Sequence, residues 1–140
     1  MESTNKTIVS NFISEIWNNN QLEKIDTYLH PNFKDHSLPT FLAPDKEGTK
    51  SWILATSSSF EHQTGIEEIV AEDDKVMVKI KMRLKHTGVW RGIEPTQLKI
   101  STPGYRYFKL SEGKIIEHWA LVDGTVIENK LQQKNHGCKI

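Results

Sequence analysis

Residues 76–85 alternate without a break. Val76, Val78, Ile80, Met82 and Leu84 take one side, and Met77, Lys79, Lys81, Arg83 and Lys85 take the other. Successive side chains of a strand leave on opposite faces, so the run specifies a β-strand with one apolar and one basic face. Such a strand needs neighbours to pair with and a layer to cover its apolar side. The turn-forming Glu72-Asp73-Asp74-Lys75 joins it to a strand over 64–71 as a hairpin. The basic row reads as a solvated outer face; the alternative is a face that meets acidic residues of a second subunit.

A second strand lies between Gly113 and Gly124. Ile116, His118, Ala120 and Val122 share one face, and Ile115, Glu117, Trp119, Leu121 and Asp123 share the other. Polar groups on an otherwise apolar strand line a cavity or pair inside a core. A third strand over 97–110, bent at Pro103-Gly104, precedes it through the turn Ser111-Glu112-Gly113. Trp90 sits in the loop 87–96 between the hairpin and this strand.

The first half of the chain has the helical period instead. Ile8, Val9, Phe12, Ile13, Ile16 and Trp17 form one stripe, capped by Ser3 or Thr4. Asn18-Asn19-Asn20 breaks it, Asn20 caps a short second helix, and His30-Pro31 ends that one. Residues 30–44 read as a proline-punctuated loop or short strand. A third helix starts after Pro44-Asp45 and carries Trp52, Ile53, Ala55, Thr56 and Phe60, with Gly48 a mild weakness of about 1 kcal/mol. Val126, Ile127 and Leu131 predict a short closing helix, and 134–140 a frayed tail. Helices first and hairpin-joined strands after give an α+β class, with a curved sheet wrapped around its helices and a cavity between them.

At 140 residues the chain is expected to form one domain, 1–140, with its core over 4–133. Lys+Arg 18 balances Asp+Glu 18, so no charge footprint favours nucleic acid or an anionic membrane. No apolar run reaches the ~20 residues that span a bilayer. The lone Cys138 has no partner for a disulfide and suits a reducing compartment, so the expected setting is the cytoplasm. Phosphate loops, nucleophile elbows and metal-binding spacings are absent, and the six histidines match no zinc pattern, so neither metal nor cofactor is expected.

Acid–base chemistry remains. His118 is the first candidate, because a partly buried imidazole titrates near neutrality; a satisfied core histidine is the plainer alternative. Arg106 has the same parity on its strand as Phe108 and Leu110. A buried guanidinium needs a carboxylate or an oxyanion, so Arg106 serves a site or pairs internally with Asp35 or Glu117. Asp35 and His36 sit where they could cover a cavity mouth, or simply shape a turn. Asp123 suits the cap of the closing helix, with ligand contact as its other role. Trp17, Trp52, Trp90 and Trp119 are core or pocket wall.

Several stretches together resemble one family. They are the first helix through Trp17-Asn18, His30-Pro31-Asn32-Phe33 leading to Asp35-His36, His86-Thr87-Gly88 with Gly92-Ile93-Glu94-Pro95-Thr96, and Gly113 to Trp119. The chain resembles the SnoaL-like polyketide (ester) cyclases of the nuclear transport factor 2-like superfamily over about residues 4–133. The resemblance implies a cone-shaped antiparallel sheet packed on three N-terminal helices, with a pocket inside, dimeric through the outer sheet face. It also implies intramolecular aldol ring closure by a pocket aspartate beside a histidine, without metal or cofactor. Counted from the shared Gly-Lys turn, the family's catalytic aspartate falls on Ala120 and its partner histidine on Arg106, while the first histidine of the strand is kept as His118. Alanine cannot move a proton.

Two functions follow. One is a binding protein whose apolar pocket, with Trp17, His36, Trp52, Trp90, Phe108, Ala120 and Asp123 around it, takes a small hydrophobic or aromatic molecule. The other is a cofactor-free cyclase, isomerase or dehydratase with His118 as acid/base, Arg106 stabilising an oxyanion, and Asp35 or Asp123 orienting the imidazole.

Overall fold

A computed structural model describes residues 2–136. Helix α1 (Glu2–Phe12) runs on as a π-helical stretch, Ile13–Asn18. After a 3₁₀ turn at Leu22–Lys24 come the short α2 (Ile25–Tyr28) and β1 (Leu29–Asp35). Then follow α3 (Lys46–Ser59), β2 (Phe60–Glu72), β3 (Lys75–His86), β4 (Lys99–Ser111), β5 (Lys114–Val122) and α4 (Gly124–His136). The strands form one curved, unclosed sheet in the order β1-β5-β4-β3-β2, a mixed α+β architecture.

The meander β2–β5 is antiparallel, as the alternating patterns require. The fifth strand is β1, lying parallel to β5 at the sheet edge. Its Pro31 lacks the ladder donor that a central strand needs, which is why that segment reads as broken in sequence. Strand β2 starts at Phe60, directly after α3 and ahead of the expected 64–71, because Phe60 turns inward and is buried.

The inner face of β3 follows the sequence pattern: Val76, Val78, Ile80, Met82 and Leu84 are all buried. Against it lie Val9, Phe12, Ile13, Ile16 and Trp17 of the first helix. Phe12 meets Phe108 edge-on at 6.1 Å and Tyr28 at 6.2 Å. Each such side chain contributes roughly 1.5–3 kcal/mol by leaving water.

Four local expectations are corrected. The first helix begins at Glu2, ahead of Ser3 and Thr4, so neither caps it. Asn20 adopts φ 55°, reversing the chain, and the cap position of the next turn falls on Gln21. Gly48 is no weakness, since a Cβ there would lie 1.7 Å from the Ala43 carbonyl oxygen. The face assignment of β5 fails at its start. Leu110 pairs with Ile115 and Lys109 with Glu117, so Ile116 is the extra residue of a bulge. Ile115, not Ile116, therefore faces the core beside His118. Helix α4 reaches His136; the rest of the expected tail, with Cys138, lies outside the described residues. No helix is long and apolar enough to cross a membrane among the described residues.

Candidate functional site

The concave face of the sheet, α3, the start of α4 and the loop after β3 enclose a cavity of about 300 Å³. Its apolar wall includes Trp17, Trp52, Phe60, Met82, Leu84 and Trp90. Its polar groups are Asp35, Ser37, Thr49, Arg91, Arg106 and His118, among others. Apolar walls with a few convergent polar groups are the usual make-up of small-molecule sites.

Pairing of β1 with β5 places Asp35 opposite His118. The His118 Nδ1 lies 2.9 Å from Asp35 Oδ2, and both side chains are buried. Asp35 Oδ1 accepts from the Ser37 amide at 2.9 Å and the Ser37 hydroxyl at 2.7 Å. The Ser37 hydroxyl oxygen in turn accepts from the Ala120 amide at 3.0 Å, tying the turn after β1 to β5. On the other side of the imidazole, Nε2 is 3.4 Å from an Arg106 terminal nitrogen. Arginine only donates, so this ring nitrogen holds the lone pair, and Nδ1 carries the proton given to Asp35.

The electrostatics agree with that tautomer. Burial, the strongest effect on His118, pushes its pKa down, and the neighbouring Arg106 adds to this against the opposing pull of Asp35. Burial opposes the charge on Asp35, but the bonds from His118 and Ser37 outweigh it and hold the carboxyl below its ordinary value. Arg106, 5% exposed, is brought down to about 10 by burial and so remains a cation at neutral pH. The site is thus a neutral imidazole between a carboxylate and a guanidinium.

Arg106 has neither of the internal ion pairs considered for it. Asp35 is engaged by His118 and Ser37, and Glu117 bonds His36 at 2.8 Å. The guanidinium instead lies over the Trp17 ring at 4.5 Å, and its Nε is buried without a partner.

The structure brings Asp35, Arg106, His118, Trp17, Trp52, Trp90 and Ala120 to one cavity. It sets four other candidates elsewhere. His36 stacks on Trp119 at 4.5 Å on the outer side of the sheet, since it follows Asp35 by one residue and takes the opposite face. Trp119 therefore belongs to that outer cluster, with Tyr107 5.2 Å away, rather than to the pocket wall. Phe108 is core, packed 4.7 Å from the His118 ring. Asp123 accepts from the amides of Thr125 and Val126 and so caps α4.

Sequence reasoning missed Ser37, Leu38 and Arg91, which also line the cavity. The Asp-x-Ser spacing of residues 35–37 was a legible signal for Ser37, since an aspartate readily accepts from the amide two residues on. Arg91 gives none; it is placed by its φ of 50°, its position 4.6 Å from the Trp90 ring and its ion pair with Glu128 of α4 at 3.3 Å. No group of three or more His, Cys, Asp or Glu side chains is disposed to hold a metal among the described residues.

Solved structures share this architecture. The chain superposes on AclR from Streptomyces galilaeus with a TM-score of 0.82 at 20% identity, covering 95% of this chain and 83% of that one. TsrD from Streptomyces laurentii gives 0.82 at 18% identity, over 94% and 96% of the two chains. A SnoaL-like polyketide cyclase from Agrobacterium tumefaciens gives 0.75 at 12% identity, over 91% and 97%. No curated protein sequence matches the chain. The sequence model for SnoaL-like polyketide cyclase, however, matches residues 7–131, nearly the whole length, and the chain belongs to that family.

Proposed function

We propose that the protein is a cofactor-independent acid–base enzyme acting next to a carbonyl group of a small, largely apolar molecule. The observation that carries this reading is the chain of contacts Asp35–His118–Arg106 ending in the cavity. The imidazole Nε2 removes a proton from the carbon beside the carbonyl. The C–H electron pair moves into the carbon–carbon bond, and the carbonyl electrons move to oxygen. Arg106 donates to that enolate oxygen. Asp35 stabilises the imidazolium that forms, as an orienting carboxylate does beside a catalytic histidine. Returning the proton to another carbon is isomerisation; attack of the enolate on a second carbonyl, whose new alkoxide takes the proton back from the imidazolium, is ring closure; loss of a β-hydroxyl as water, carrying that same proton, is dehydration. In this reading Asp35 supplies, through His118, the carboxylate that Ala120 lacks.

A second reading, a binding protein without chemistry, is favoured by one contact: Arg106 sits on the basic nitrogen itself and lowers its basicity. Proton exchange separates the two. One- and two-ring enolisable ketones are incubated in D₂O with the wild type and with His118→Asn, and loss of the α-proton signal is followed by NMR. The enzyme reading expects exchange accelerated by the wild type and abolished in the variant. Binding of the ketones with no accelerated exchange would leave the binding protein. We also assign a homodimer through the outer sheet face, where Met77, Tyr105 and Leu121 stand exposed, and a cytoplasmic setting in keeping with a single cysteine.

A further inference from the structure

The charge inside the cavity is unbalanced. Among the lining residues the cations are Arg91 and Arg106, and the one carboxylate is Asp35. Both oxygens of Asp35 are already used, Oδ1 by Ser37 and Oδ2 by His118. Arg91 at the rim has its own partner in Glu128. Arg106 has none. Its polar contact is a long one to a neutral imidazole, and its Nε–H is buried with nothing to donate to. A guanidinium taken out of water costs several kcal/mol unless a charge and hydrogen-bond acceptors offset it. Stacking on Trp17 at 4.5 Å offsets only part of this. The fork geometry of arginine matches two oxygens on one carbon.

The volume adds a second constraint. A cavity of about 300 Å³ stands at the lower end of the range for small-molecule sites, roughly 300–1,000 Å³. It suits one or two rings better than a large fused system. Trp17, Trp52 and Trp90 give such a body an apolar, aromatic wall.

We propose that the cavity takes a small organic monocarboxylate, a one- or two-ring acid or keto acid. Its carboxylate sits on Arg106 and its rings lie among Trp17, Trp52 and Trp90. The inference names the ligand class for the site of the proposed function and rests on the same cavity, but not on any proton transfer there.

The test uses matched pairs: benzoate, cinnamate and 2-naphthoate, each against its methyl ester. Binding to the intact protein is followed by calorimetry and by tryptophan fluorescence. A carboxylate gains a charge-assisted contact with Arg106 that its ester lacks, so at least one acid binds about tenfold or more tighter than its ester. That preference disappears in Arg106→Gln and persists in Glu117→Gln, whose side chain pairs with His36 outside the cavity. Esters that bind as well as their acids overturn the proposal, as does failure of all the acids to bind. The wild-type pairs decide the matter even if Arg106→Gln fails to fold. Acid preference without proton exchange would refute the proposed chemistry and leave this inference standing; exchange of neutral ketones with no acid preference would do the reverse.

Discussion

Two histidine–carboxylate pairs sit back to back on the β1–β5 ladder. Asp35–His118 and His36–Glu117 are built from adjacent residues and have nearly the same length, 2.9 and 2.8 Å. They differ in which face of the sheet they occupy. The first is 5–6% exposed and looks into the cavity; the second is 34–38% exposed and stacks on Trp119. Alternation along a strand alone sends consecutive side chains into water and into the interior. The contrast shows that a contact's length says little about its consequence. Inside, neither partner can be removed without stranding the other away from solvent, whereas outside, water replaces whatever is lost.

The largest effect should come from breaking the inner pair. Asp35→Ala leaves the Nδ1–H of His118 buried with no acceptor, which costs about 1–3 kcal/mol of stability. It also removes the group that fixes the tautomer, so proton exchange on an enolisable ketone should fall about 10²–10⁴-fold, the usual share of general acid–base catalysis. Urea denaturation and NMR exchange rates read the two losses separately. A variant as stable and as active as the wild type would contradict the role given to Asp35.

A smaller effect comes from pH. His118 has its folded pKa pushed below the ordinary 6.5, so the unfolded chain takes up that proton first. Stability is then unaffected at high pH and falls as pH drops below about 6.5. His62, lowered chiefly by burial, acts with the same sign. Asp35, also lowered, contributes stability above 3.8 that is lost as pH falls through its folded value, steepening the decline at the acid end. Urea midpoints at pH 7 and pH 5 should therefore differ, and His118→Asn should flatten that difference relative to the wild type. The smallest effect belongs to the outer pair, where Glu117→Gln should change stability by less than about 1 kcal/mol and leave ketone exchange untouched. A loss comparable to that of Asp35→Ala would erase the distinction between the two faces.

Much of this arrangement was legible in the residues. The period-two run at 76–85 fixed the inner face of β3, and the parity of Arg106 with Phe108 and Leu110 put it on the buried face of its own strand. What could not be read depended on contacts distant in sequence. Asp35 and His118 are 83 residues apart, and nothing in either segment says that β1 joins β5 in parallel. The bulge at Ile116 shifted the face of Ile115 because a bulge leaves no pattern in a strand where both residues are isoleucine. Trp119 misled for a related reason: aromatic bulk suggests burial, but its partners His36 and Tyr107 make a stacked cluster on the open side.

The proposed base is a neutral His118 whose Nε2 holds the lone pair beside Arg106 at the cavity. Heteronuclear NMR of ¹⁵N-histidine-labelled protein, titrated from pH 8 to pH 5, observes that directly. We expect the His118 ring to carry its proton on Nδ1 and to stay neutral below pH 6.5, with the Nδ1 assignment lost in Asp35→Ala. An imidazolium at pH 7, or a proton resident on Nε2, would contradict the proposed base and the hydrogen-bond chain that orients it.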